Sequence, residues 1–200
     1  MSNGIWSPTD FRNARDLAIG EMGKNNDLFV IKVSSERNDV FSGGAVDKVT
    51  MESFSGGKSL ASRTGLIRRE YLESLLSAGG IYSTFGNLKE FLEQPEVELR
   101  IEMSKVVVDC VIKAEELAAK LEDASDSEYD KIDRQLDKLA DEAEKLMEDP
   151  KNYRVYLHDT QTGEMYDLRT DEGISDLPSL LSKRPEPAEK AKKPKKPLRA

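Results

Sequence analysis

Two hundred residues carrying a net charge of −8, 38% hydrophobic residues, one cysteine and one histidine make a chain long enough to bury its own core, as one domain or two small ones. A single thiol excludes an internal disulfide framework, and one cysteine with one histidine excludes the usual zinc sites and the paired Glu-x-x-His motifs of di-iron bundles, so no cofactor is expected. With no apolar run of about 18 residues and no basic-then-apolar leader in Met1-Ser2-Asn3-Gly4-Ile5-Trp6, the chain is expected in the cytoplasm, without a membrane partner.

The first expected element is a helix from about Pro8 to Met22. Ser7 stands as N-cap, Pro8 fills the first helical position, and Phe11, Ala14, Leu17 and Ala18 form the apolar face. Leu28 to Val33 is short, branched and apolar, the pattern of a buried strand. The tetrapeptide Phe41-Ser42-Gly43-Gly44 recurs as Phe54-Ser55-Gly56-Gly57, and the two read as turns bounding a strand from Ala45 to Ser53. A helix is then expected from Thr64 to Ser77, stopped by Gly79-Gly80, with a short one from Asn87 to Glu93.

The strongest periodicity starts near residue 98. Met103, Val107, Cys110, Ala114, Leu117 and Leu121 follow at alternating spacings of four and three; after the polar stretch Asp123 to Ser127, the pattern returns as Tyr129, Ile132, Leu136, Leu139, Ala143 and Leu146. Two such seams joined by about five polar residues predict an antiparallel helical hairpin over residues 98 to 148. Tyr153 to His158 and Glu164 to Arg169, flanking a loop that ends in Gly163, predict a β-hairpin.

Charge is distributed unevenly. Residues 114 to 150 hold 14 acidic and 5 basic side chains, a balance of −9; residues 183 to 200 hold 8 basic and 2 acidic, a balance of +6. The latter stretch has four prolines, no aromatic residue and the run Lys190, Lys192, Lys193, Lys195, Lys196 and Arg199, which predicts a disordered basic tail able to meet an anionic partner. The expected fold class is therefore α+β: an N-terminal helix and small antiparallel sheet (residues 1–94), an acidic helical hairpin (95–150), a β-hairpin with a short helix packing on the body (151–182), and the tail (183–200).

Chemical motifs are sparse. Gly56-Gly57-Lys58-Ser59 resembles the end of a phosphate-binding loop, and Val106-Val107-Val108-Asp109 has the form of a Walker B strand. The loop pattern fails at its first glycine, where Glu52 stands, and the helical seam runs through Asp109; a Gly-rich turn explains the residues better. His158 in a predicted strand reads as a surface pair member, and Cys110 as core. The acidic residues Asp123, Asp126, Glu128 and Asp130 lack the glycine and the closing glutamate of a calcium loop. The expected function is a non-enzymatic protein-protein interaction or assembly factor, of a kind found in viruses and phages, that self-associates or binds a protein partner through the hairpin. The alternatives are a nucleic-acid-binding accessory protein using the tail, a divergent nucleotide-binding protein using Gly57, Lys58 and Ser59, and an acidic DNA mimic.

Overall fold

The computed structural model describes residues 5–39, 44–72, 96–121 and 124–169. They form a mixed α+β fold around one seven-stranded sheet. The elements in chain order are β1 (Ile5–Trp6), α1 (Pro8–Gly20), β2 (Leu28–Asp39), β3 (Gly44–Ser55), β4 (Lys58–Arg68), β5 (Val97–Ser104), α2 (Lys105–Leu121), α3 (Asp126–Glu148), β6 (Tyr153–Asp159) and β7 (Met165–Asp167). A first helical turn is also described at residues 69–72. The strand order is β1-β4-β3-β2-β5-β6-β7, parallel only between β1 and β4.

The helix-side face of this sheet is apolar in continuous rows. Met51, Ile31, Ile101 and Val155 stand side by side across β3, β2, β5 and β6, and Val49, Val33, Leu99 and Leu157 form the next row. All eight are buried. Each such side chain taken out of water contributes about 1.5–3 kcal/mol before entropy is counted, so the rows fix the register: slipping a strand by one residue would turn its apolar set outward. Phe11, Ala14 and Ala18 of α1 and Val108 of α2 join the same core, which puts α1 and the helical pair on one face. The opposite face carries Lys32, Glu52, Arg100, Glu102, Arg154 and His158, with Lys32 opposite Arg100, Glu102 opposite Arg154 and His158 opposite Glu98.

Local chemistry explains the boundaries. Ser7 caps α1 reciprocally: its hydroxyl accepts from the Asp10 amide at 3.2 Å, and its own amide donates to Asp10 Oδ2 at 2.9 Å. The Asp27 carboxylate accepts from the amides of Gly23 and Lys24 at 2.8 and 2.9 Å, shaping the turn into β2. Gly56 and Gly57, both with positive φ, make the tight turn between β3 and β4. At Gly65 the reason is space, since a Cβ there would lie 2.0 Å from Cε2 of Trp6, whose indole occupies that place over β4.

The structure corrects several expectations. Residues 97–104 are strand β5, so the helical pair begins at Lys105, and its helices have 17 and 23 residues. Met103 therefore belongs to a strand, paired with Phe29 and Tyr153, and not to the helical seam. Residues 58–68, expected in part as helix, form β4, because their backbone completes a ladder with β3. The C-terminal hairpin is no separate unit: β6 pairs with β5 and extends the main sheet, which is larger than the small one expected. On α1, Leu17 points outward and is 58% exposed. The expected helix Asn87–Glu93, the first Phe-Ser-Gly-Gly turn up to Gly43 and the basic tail lie outside the described residues.

Candidate interaction site

The helical pair is built on an abrupt junction. Strand β5 passes into α2 with no intervening loop: Ser104 donates its amide to the Asn152 carbonyl at 2.7 Å, and Lys105 donates to the Asp27 carbonyl at 2.9 Å. At the start of α3, Ser125 and Glu128 form a capping box, with the Ser125 amide and hydroxyl donating to Glu128 Oε2 at 3.1 and 2.6 Å. These bonds hold the Glu128 carboxyl below the usual carboxylate range. That carboxylate is thereby committed to helix capping, and among the described residues no cluster of three His, Cys, Asp or Glu could hold a metal.

α3 packs on α2 and touches the sheet mainly through β6. Val107, Val108 and Cys110 of α2 are buried against the body, whereas Leu117 and Leu121, farther along, are half-buried. On α3 the apolar stripe Ile132, Leu136, Leu139, Ala143 and Leu146 is half-buried throughout, and no described side chain of this helix is fully buried. Tyr129, one turn from its start, is 49% exposed. An amphipathic helix with an apolar stripe satisfied only in part has contact surface to spare.

Between the helical pair, α1 and the sheet lies a partly open cavity of about 410 Å³. Phe29, Ile31 and Met103 form its floor; Val111 and Ile112 of α2 and Leu139, Ala143 and Met147 of α3 form its walls. Arg15 of α1 and Glu115 of α2 are its charged members, joined by a bidentate pair at 2.7 and 2.8 Å. Glu115 and, to a lesser extent, the neighbouring Asp16 raise the Arg15 guanidinium further, against the opposing effect of burial. Cys110 also lines the cavity, and burial pushes its thiol up, with Glu142 adding to the shift. A buried thiol held in the neutral form is a poor nucleophile.

The opposite sheet face has its own charge network. Tyr156 donates its hydroxyl to Glu102 at 2.7 Å and lies beneath the guanidinium groups of Arg100 and Arg154 at 5.7 and 5.4 Å. Burial and the Glu102 carboxylate push the Tyr156 phenol well above its usual value. His158 Nδ1 stands 3.8 Å from Glu98. Arg100 and Arg154 both approach Glu102, at 3.4 and 3.8 Å, so the charges around the Tyr156 ring offset one another.

Of the other residues singled out from sequence, Gly57, Lys58 and Ser59 sit at the β3–β4 turn and the first residues of β4. A phosphate loop leads into a helix N-terminus whose amides face the anion; here the chain leads into a strand. Asp109 lies on α2 and pairs with Lys105 at 2.7 Å. Lys190, Lys192, Lys193, Lys195, Lys196 and Arg199 lie outside the described residues. Sequence reasoning missed the cavity because its lining comes from six elements, and it missed Arg15 because nothing local pairs α1 with α2. Among the described residues, no helix is long and apolar enough to cross a membrane. Comparison of the chain with protein-family models, with curated proteins and with solved structures finds no match.

Proposed function

We propose that the protein is a non-enzymatic assembly factor that pairs with a second copy of itself through the outer part of the α2–α3 hairpin. The observation that supports this reading is the incompletely buried seam: Leu117, Leu121 and Ile132 are only half-buried and Tyr129 is exposed, and none of the four lines the cavity against the sheet. Their alternating three and four spacing is the pattern by which helices pack on helices. A second copy presents the same stripe, so a two-fold contact between hairpins would close a four-helix bundle and bury what one copy leaves exposed.

The basic run from Lys190 to Arg199 contributes charge for an anionic partner of the assembly, with nucleic acid as the second reading. The experiment for the hairpin is to replace Leu121 and Ile132 together by Asp and measure mass by light scattering alongside far-ultraviolet circular dichroism. The expected outcome is a folded monomer where the parent chain is a dimer. If the variant keeps the parent's assembled mass, the outer seam is not the contact.

A further inference from the structure

We propose that the cavity beneath the hairpin binds a free medium-chain carboxylate, its apolar chain enclosed between α3 and the sheet and its head group held by Arg15. Three features of the site converge on this chemistry. Its volume of about 410 Å³ falls in the range of small-molecule sites, and its lining is apolar except at Arg15 and Glu115. Protein interiors do not ordinarily leave space on this scale between packed side chains, so a cavity of this size suits an occupant that comes and goes.

The charged pair settles the sign of the head group. Arg15 is the enclosed partner, with its side chain 17% exposed, whereas the Glu115 side chain is 50% exposed. Glu115, the member that faces water, is the one a ligand carboxylate can displace, while Asp16 keeps its own bond to Arg15 Nε at 2.9 Å. The Arg15 guanidinium, packed against the cavity wall, then offers its planar fork to a carboxylate that brings an apolar chain with it. A cationic ligand would instead have to expel the enclosed arginine. Exchange of one carboxylate for another leaves the local charge unchanged and requires no covalent step.

This site is separate from the outer seam: the chain-enclosing residues are Ile112, Leu139, Ala143 and Met147, not Leu121 or Ile132. The test is calorimetric titration of the whole protein with hexanoate, octanoate and decanoate, and with 1-decanol and decylamine as neutral and cationic comparators. Affinity is expected to rise about fourfold per added methylene, with decanoate at least tenfold tighter than either comparator. Arg15→Gln should reduce decanoate to the level of decanol, and Ala143→Phe should weaken all chains. Cys110, the only thiol of the chain, should react more slowly with N-ethylmaleimide when decanoate is present.

No heat with decanoate, no dependence on chain length, or equal affinity for decanol would each overturn the proposal. Binding to phosphatidylglycerol vesicles without binding of free decanoate would overturn it as well. The double Asp variant at Leu121 and Ile132 should still bind decanoate, so failure of the assembly reading and failure of this one are told apart.

Discussion

Removing the carboxylate of Asp47 should destabilise this protein more than any other single loss of charge on the helix-side face of the sheet. Asp47 on β3 is wholly buried and accepts from Arg69 Nε at 3.0 Å and Nη2 at 2.6 Å, the arginine side chain being 7% exposed. In Asp47→Ala the buried guanidinium loses both of its hydrogen bonds to this carboxylate, and removing one partner of a buried ion pair costs about 3–5 kcal/mol. Against a total stability of about 5–15 kcal/mol, that is about a fifth of the whole or more. With a urea slope of about 2 kcal/mol/M, the unfolding midpoint should fall by about 2 M. A midpoint shift of less than about 0.5 M in Asp47→Ala, under the same slope, would refute the reasoning, since it would mean that this pair carries little of the stability.

Further expectations follow from other sites. Gly65→Ala would put a methyl group 2.0 Å from the Trp6 ring, so the indole must leave; fluorescence of this single tryptophan should shift to the red, and an unchanged spectrum would contradict the packing. Burial raises the Tyr153 phenol from 10.0 to about 12 against the pull of Arg169. The folded state thus keeps a proton that the unfolded state releases, a contribution of about 2–3 kcal/mol that is full below pH 10 and lost as pH rises toward 12. Alkaline titration should show late tyrosinate absorbance appearing together with unfolding. Ser7→Ala removes the α1 cap and should cost about 1 kcal/mol, measurable by thermal melting.

Much of the fold was legible where a single local rule governs. Ser7-Pro8 with Asp10 marks the start of α1, and the glycine pair at 56 and 57 marks a turn that positive φ then confirms. The heptad spacings located α2 and α3, but they also carried the reading backward across Met103. That residue is the last inward position of β5 and falls four before Val107, so the strand imitates one more helical turn. The contrary signal was present: Val97, Leu99, Ile101 and Met103 alternate strictly with charged residues, the period of a strand, and Ser104 stands where a cap would.

β4 misled for a different reason. Leu66, Ile67, Tyr71 and Leu72 fall at helical spacing, yet the first two pair with Lys48 and Asp47 in the sheet. The glycine between Thr64 and Leu66 makes sense only once Trp6 is placed over it. The candidate site was legible in its seam residues and not in its cavity. Which stripe is covered, and how far, depends on contacts among β2, β5, β6 and α1 that no window of sequence contains, and the Arg15–Glu115 pair joins residues 100 apart.

The central claim is that copies of this chain meet through their hairpins. A nitroxide on Lys131→Cys in a Cys110→Ala background, read by pulsed electron paramagnetic resonance, tests it most directly. Residue 131 is exposed one position before Ile132, so paired hairpins predict a defined distance between two labels that fades on dilution with unlabelled protein. A featureless decay at concentrations where light scattering reports only the 22.4 kDa chain would contradict the account.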